Sequence, residues 1–134
     1  MLTLDTSGLV ALVSPTDRNH RQAVAVVEAD NGPYFIPMGV MAEITYILEQ
    51  RAGMFLLLDF LQDLQSGAYE VDGGDGDLAR IQALVRRYAD LQLGFADSAV
   101  VACAERHGGR VLTTDRRHFP VVARGEGTIH PLPV

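Results

Sequence analysis

GFADSAVVACAERHGGRVLTTD, residues 94–115, decides how this chain folds. The spacing predicts a helix over about Phe95 to His107, ended by Gly108-Gly109 and followed by a strand over Arg110 to Thr113. Two acids sit at the ends of that unit. Asp97 falls in the first turn of the helix, where the dipole favours an anion, although Val100, Val101 and Ala104 follow it on the same side. Asp115 closes the strand, at the end where open α/β sheets gather their functional groups.

The rest of the chain repeats the alternation. Leu2 to Asp5 reads as a buried strand leading into a helix. Asp17 caps a second helix to about Ala29, and Asn31-Gly32-Pro33 turns the chain into a strand over Tyr34 to Ile36. Pro37 suits a first helical position, with a helix from Met38 to about Arg51. Gly53 breaks that helix. Met54 to Gln65 forms another, apolar over most of its circumference, which must therefore be covered. A strand over Ala68 to Val71, an Asp- and Gly-rich turn over 72–77, a helix from Leu78 to about Ala89 and a last strand around Thr128 to His130 complete the reading. Strands alternating with helices give an α/β fold with a mainly parallel central sheet, as one domain over residues 1–134.

With 134 residues, 48% of them hydrophobic, the chain can bury a sizeable core. The longest strongly apolar run, Met54 to Leu61, contains Asp59 and falls short of the roughly 18 residues a membrane span needs. The N-terminus lacks the basic and apolar regions of an export signal, so a cytoplasmic protein is expected. Cys103 stands alone, which leaves no internal disulfide and no cysteine-rich zinc site. The net charge of −6 argues against a broad phosphate-binding surface, and all eleven basic residues are arginine.

Asp5, Glu43, Asp97 and Asp115 each interrupt or close an apolar stretch: LTLD, VMAEITYIL, GFADSAVVACA and VLTTD. Val40, Glu43, Ile44 and Ile47 share one helical stripe, which sets the glutamate on an apolar face. Taken singly, Asp5 also reads as a helix N-cap and Asp115 as a cap or turn residue. Together the four suggest one carboxylate pocket, which burial makes costly without a counter-charge, and the chain has no lysine. A hard divalent cation, magnesium or manganese, suits an all-oxygen donor set. Around such a cation, carboxylates support phosphodiester hydrolysis. His20, His107, His118 and His130 have no metal-ligand spacing and read as surface or packing residues. Asp90 reads as a turn or cap residue, Ser7 has no recognisable base partner, and the aspartates of 72–77 fail the EF-hand pattern.

LDTSGLVAL at 4–12, MAEITYIL at 41–48, GFADSAVVACAERHG at 94–108 and VLTTDRRHF at 111–119 together resemble the PIN-domain ribonucleases of the VapC toxin type, over essentially the whole length. The resemblance implies an α/β/α sandwich and a magnesium- or manganese-dependent endoribonuclease, with Asp5, Glu43, Asp97 and Asp115 as catalytic and metal-binding acids. Ser7 and Thr113 match supporting hydroxyl positions. It further implies a homodimer and a small cognate antitoxin as partner, for either of which the helix at Met54 to Leu61 offers a surface, core packing being its other reading. Arg86-Arg87 and Arg116-Arg117 are candidates to guide RNA phosphates, Arg116 foremost. Gln92 and Ser98 depart from the family pattern without touching the acids.

A phosphoacceptor receiver domain would need a lysine, and a haloacid-dehalogenase-like phosphatase a second aspartate two residues after Asp5. The chain has neither. The non-enzyme alternative is an inactive PIN module that binds RNA or a protein.

Overall fold

The computed structural model describes residues 1–133. Five short parallel strands form one sheet in the order β3-β2-β1-β4-β5, with β1 at Leu2–Leu4, β2 at Tyr34–Pro37, β3 at Glu70–Asp72, β4 at Arg110–Leu112 and β5 at His130–Leu132. The helices are α1 (Thr6–Val13), α2 (His20–Glu28), α3 (Met41–Ala52), α4 (Met54–Ser66), α5 (Leu78–Arg87), α6 (Phe95–Arg106) and α7 (Phe119–Glu126). They flank the sheet in an α/β/α arrangement. No helix among the described residues is long and apolar enough to cross a membrane.

β1 is fully buried and lies between β2 and β4, with Thr3 opposite Phe35 on one side and Val111 on the other. Strands buried on both faces carry continuous apolar runs, as Leu2 and Leu4 do here. The order reverses between β1 and β4: from β1 the chain builds outward to β2 and β3, then returns to add β4 and β5 on the opposite side. Such a reversal opens a crevice beyond the carboxyl ends of the two strands.

α6 packs on β1, β2 and β4 and is buried from Ser98 through Ala104. Its small residues Ala99, Ala102, Cys103 and Ala104 let the helix lie close to the sheet. Gly8 brings α1 just as close to β4, since a Cβ there would collide with the Leu112 carbonyl. The junction of α3 and α4 is Gly53, at φ 63° and ψ −150°, a conformation essentially restricted to glycine.

Several sequence readings shift. Pro37 closes β2 rather than opening a helix, because its carbonyl side joins the sheet beside Asp72, and a single 3-10 turn at Met38–Val40 precedes α3. Asp17 does not cap α2 directly: its side chain accepts the Asn19 N–H and the helix begins at His20. β3 and β5 each start two residues later than expected, and α7 follows a turn where the sequence suggested no helix. α4 is the largest difference. Phe60 is its one fully buried side chain and Leu56 and Leu64 pack against the core, while Met54, Phe55 and Leu58 are exposed, so within this chain one side of its apolar circumference is left uncovered.

Candidate active site

Asp5 directly follows β1 and Asp115 follows β4 by three residues, so adjacent strands deliver both to the crevice at the switch point. Glu43 reaches it from the first turn of α3 and Asp97 from the first turn of α6. All four line one cleft of about 260 Å³, together with Thr6, Ser7, Asp17, Ile47, Arg51 and Thr114. Glu43 itself is exposed: the buried stripe of α3 is Val40, Ile44 and Leu48, and Glu43 stands beside that stripe rather than on it.

Asp5 is the buried member, and hydroxyl groups hold it. Ser7 Oγ donates to Asp5 Oδ2 at 3.0 Å and Thr113 Oγ1 donates to the same oxygen at 2.8 Å. Each hydroxyl also accepts a backbone N–H from the β4 end: Thr114 N to Ser7 Oγ at 2.9 Å and Asp115 N to Thr113 Oγ1 at 3.0 Å. The network therefore joins the tips of β1 and β4, and both side-chain donors converge on Oδ2, leaving Oδ1 outside the hydroxyl pair. Burial nonetheless raises the Asp5 pKa to about 6, Asp97 adding to the rise while Thr113, Ser7 and the Thr6 N–H oppose it.

Asp97 is half-buried and accepts no hydrogen bond from a side chain among the described residues. Burial raises its pKa, and the charges of Asp115 and Glu43 push the same way, against His118. Two of the other acids thus act on Asp97, and Asp97 in turn acts on Asp5. Asp115 behaves oppositely. Burial would raise its pKa, but hydrogen bonds from His118 and Arg117 outweigh it and hold the carboxyl below its usual value. Oδ1 accepts the N–H groups of Arg117 and His118 at 2.8 and 2.9 Å, and His118 Nδ1 lies 2.8 Å from Oδ2. Of roughly four lone-pair positions on a carboxylate, three are then used, which leaves one on the Oδ2 side.

Sequence reasoning missed two residues here. His118 offers a ring nitrogen within 4.8 Å of ligand oxygens from both Asp97 and Asp115. Its signal was the spacing of three from Asp115 immediately after a strand. Arg51 lines the cleft from α3, eight residues beyond Glu43, where helical spacing returns it to the same face. His118 meets the site through Asp115 and is not itself in the cleft lining, and the other histidines are remote from it: His107 stacks on Phe35 and contacts Asp72, His20 bonds the Ala11 carbonyl, and His130 is exposed on β5. Arg116, Arg86 and Arg87 are exposed and outside the cleft lining, as is Asp90, which lies in a 3-10 turn. The turn at 72–77 is a structural clamp, in which Asp72 and Asp77 both bind the Arg106 guanidinium.

The donors fit a hard divalent ion. They are carboxylate oxygens with one adjacent imidazole, two of the acids have raised pKa values, and the only arginine in the lining is paired with Asp17 rather than with the four acids.

A five-stranded parallel sheet flanked by helices, with acids gathered at its switch point, is an α/β/α domain of PIN type. The chain is a member of the PIN-domain family, whose model matches residues 2–125. It is 30% identical over 135 residues to Ribonuclease VapC26 of Mycobacterium tuberculosis, spanning 97% of this chain and all of that protein. Among solved structures, Mycobacterium tuberculosis VapC20, a Sarcin-Ricin loop cleaving toxin, superposes with a TM-score of 0.79 at 19% identity, covering 91% of this chain and 95% of that one. A toxin-antitoxin complex from Klebsiella pneumoniae gives a TM-score of 0.69 at 21% identity, over 89% and 90% of the two chains.

Proposed function

We propose that the protein is a metal-dependent endoribonuclease, the toxin of a toxin-antitoxin pair, with Asp5, Glu43, Asp97 and Asp115 as its catalytic, metal-holding acids. The observation that carries this reading is the meeting of four acids from remote segments in one cleft, with burial and like charge opposing ionisation of Asp5 and Asp97. Near-full-length similarity to a protein named as a ribonuclease points to RNA.

A magnesium or manganese ion held by these acids would supply Lewis acidity at the phosphoryl oxygens and lower the pKa of the attacking water. Each side chain has a separable duty. Ser7 and Thr113 fix Asp5 through one oxygen and free the other for the ion. His118 orients Asp115, as outer-shell partners orient metal ligands. The N-terminal turn of α6 stabilises the Asp97 carboxylate. Arg116, beside Asp115, is a candidate contact for a flanking phosphate. A small antitoxin and a homodimer are the proposed assembly, in the cytoplasm.

The test is cleavage of single-stranded RNA with manganese or magnesium. Wild type cuts and EDTA abolishes cutting, while Asp5→Asn and Asp97→Asn each lose at least about a hundredfold in rate, as expected when a group stabilising transition-state charge is removed. Equal cleavage by all three proteins, or by wild type in EDTA, refutes the assignment.

A further inference from the structure

We infer that Arg51, held by Asp17, forms a phosphate subsite at the far end of the cleft, binding the RNA backbone at a position flanking the scissile phosphodiester. The inference rests on the ribonuclease reading and adds to it the residue that anchors the strand.

Glu43, Ile47 and Arg51 follow one another at intervals of four on α3, and all three line the cleft. At 1.5 Å per residue, Arg51 stands about 12 Å along the helix from Glu43. An RNA strand entering this cleft meets five carboxylates, Asp5, Asp17, Glu43, Asp97 and Asp115, and one cationic side chain, Arg51. A bound ion can offset the four acids at one end. Away from that ion, Arg51 is the group able to offset the repulsion of a polyanion.

The guanidinium is held in a way that leaves its fork available. Arg51 Nη1 donates to Asp17 Oδ2 at 2.8 Å, and this is its one hydrogen bond among the described residues. Asp17 is fixed in turn, since its Oδ1 accepts the Asn19 N–H at 2.8 Å and its side chain is only 11% exposed. Arg51 is 46% exposed and its remaining N–H groups make no hydrogen bond among the described residues, so they can meet a phosphate in the two-pronged geometry that arginine favours. Other paired arginines are used differently. Arg80 engages both oxygens of Glu105 and also Glu126, and Arg106 spans Asp72 and Asp77. Those pairs tie elements together, whereas the Asp17–Arg51 pair stands in the cleft. Asp17 is a positioning residue, keeping the guanidinium at the mouth and away from the acids it would otherwise neutralise.

The experiment compares wild type, Arg51→Ala, Arg51→Lys and Asp17→Asn in manganese-dependent cleavage of a single-stranded RNA oligonucleotide. RNA binding is measured as a function of salt in the Asp97→Asn background. Arg51→Ala should raise KM about tenfold with kcat within about twofold, matching one lost charge-assisted hydrogen bond pair. Its salt slope, log affinity against log salt, should fall by about 0.7, one phosphate contact on a single strand. Arg51→Lys should recover the salt slope but not the full KM, since the charge remains and the fork is gone. Asp17→Asn should raise KM by a few-fold with kcat retained. The manganese-induced rise in Tm should be the same in all four proteins. If wild type cleaves RNA and Arg51→Ala matches it in KM and salt slope, the subsite is wrong and the ribonuclease reading stands. If wild type does not cleave yet Arg51→Ala weakens RNA binding with the lower slope, the ribonuclease reading fails and the subsite stands.

Discussion

Asp5 is the most buried of the four acids, and its environment makes a definite statement about stability. Its pKa rises from 3.8 to about 6 on folding. A carboxyl raised in the folded state contributes stability that is fully present below pH 3.8 and is lost as pH climbs through about 6. Two units correspond to about 3 kcal/mol. Part of that loss precedes pH 4.5, so in EDTA the unfolding free energy should fall by about 2 kcal/mol between pH 4.5 and 7.5, with Asp97 adding in the same direction. Asp115 titrates the other way, below its usual value, so its loss lies at more acid pH and leaves this window clear. Denaturant titrations at several pH values measure the slope. Asp5→Asn should flatten it, and manganese should cancel it, since deprotonated ligands bind the ion better as pH rises. A metal-free protein equally stable at pH 4.5 and 7.5 would show that Asp5 is not electrostatically frustrated. These acids were legible in the sequence because a charge inside an apolar run has to be explained. His118 and Arg51 were not, because neither breaks a pattern: a turn brings His118 onto Asp115, and a helix face brings Arg51 to the cleft.

At the scale of elements, the approach of α1 to β4 sets the cleft. Gly8 sits one residue past Ser7, and its missing Cβ lets α1 lie against the Leu112 carbonyl, close enough for Ser7 Oγ to take the Thr114 N–H. Gly8→Ala forces the helix outward. We expect a loss of about 1 to 3 kcal/mol, the usual cost of overpacking, even though alanine is the better helix former. Because the shift also parts Ser7 and Thr113, RNA cleavage should drop by more than the unfolded fraction accounts for. Thermal unfolding together with activity per folded molecule separates the two effects, and a Gly8→Ala protein of wild-type Tm and rate would contradict the close packing. The alternation of strands and helices was readable for the same reason that α6 was: periodicity and Gly-Gly punctuation survive in one dimension. α7 was not readable. Phe119-Pro120-Val121-Val122 carries proline near its start and only two buried side chains, too few for a clear helical period, although the Asp115 turn before it, which takes the His118 N–H three residues on, is a local signal. β5 contains Pro131 and is a sheet edge, where propensity says little and pairing with β4 decides.

For the whole molecule, the uncovered face of α4 is the counterpart of the covered face of α6. Met54, Phe55 and Leu58 are each more than half exposed, and Tyr46 on the neighbouring α3 is 63% exposed. Apolar periodicity alone assigned such a helix to the core, since a sequence does not distinguish a surface buried by its own chain from one buried by another. α4 packs against α3, the helix that presents Glu43, Ile47 and Arg51 to the cleft, so a protein seated on α4 is well placed to extend a segment over the acids. On the toxin-antitoxin reading that protein is the antitoxin. Aromatic and aliphatic anchors at the centre of an interface commonly contribute 2 kcal/mol or more each. The double variant Phe55→Asp/Leu58→Asp should then weaken antitoxin binding by at least about a hundredfold in calorimetry. Its Tm should be held or raised, because both side chains already face water. RNA cleavage by the free enzyme should be unchanged, while inhibition of that cleavage by added antitoxin should be lost. Sedimentation of the same variant tests the homodimer independently: a change in oligomeric state with antitoxin affinity intact would assign α4 to self-association and move the antitoxin elsewhere.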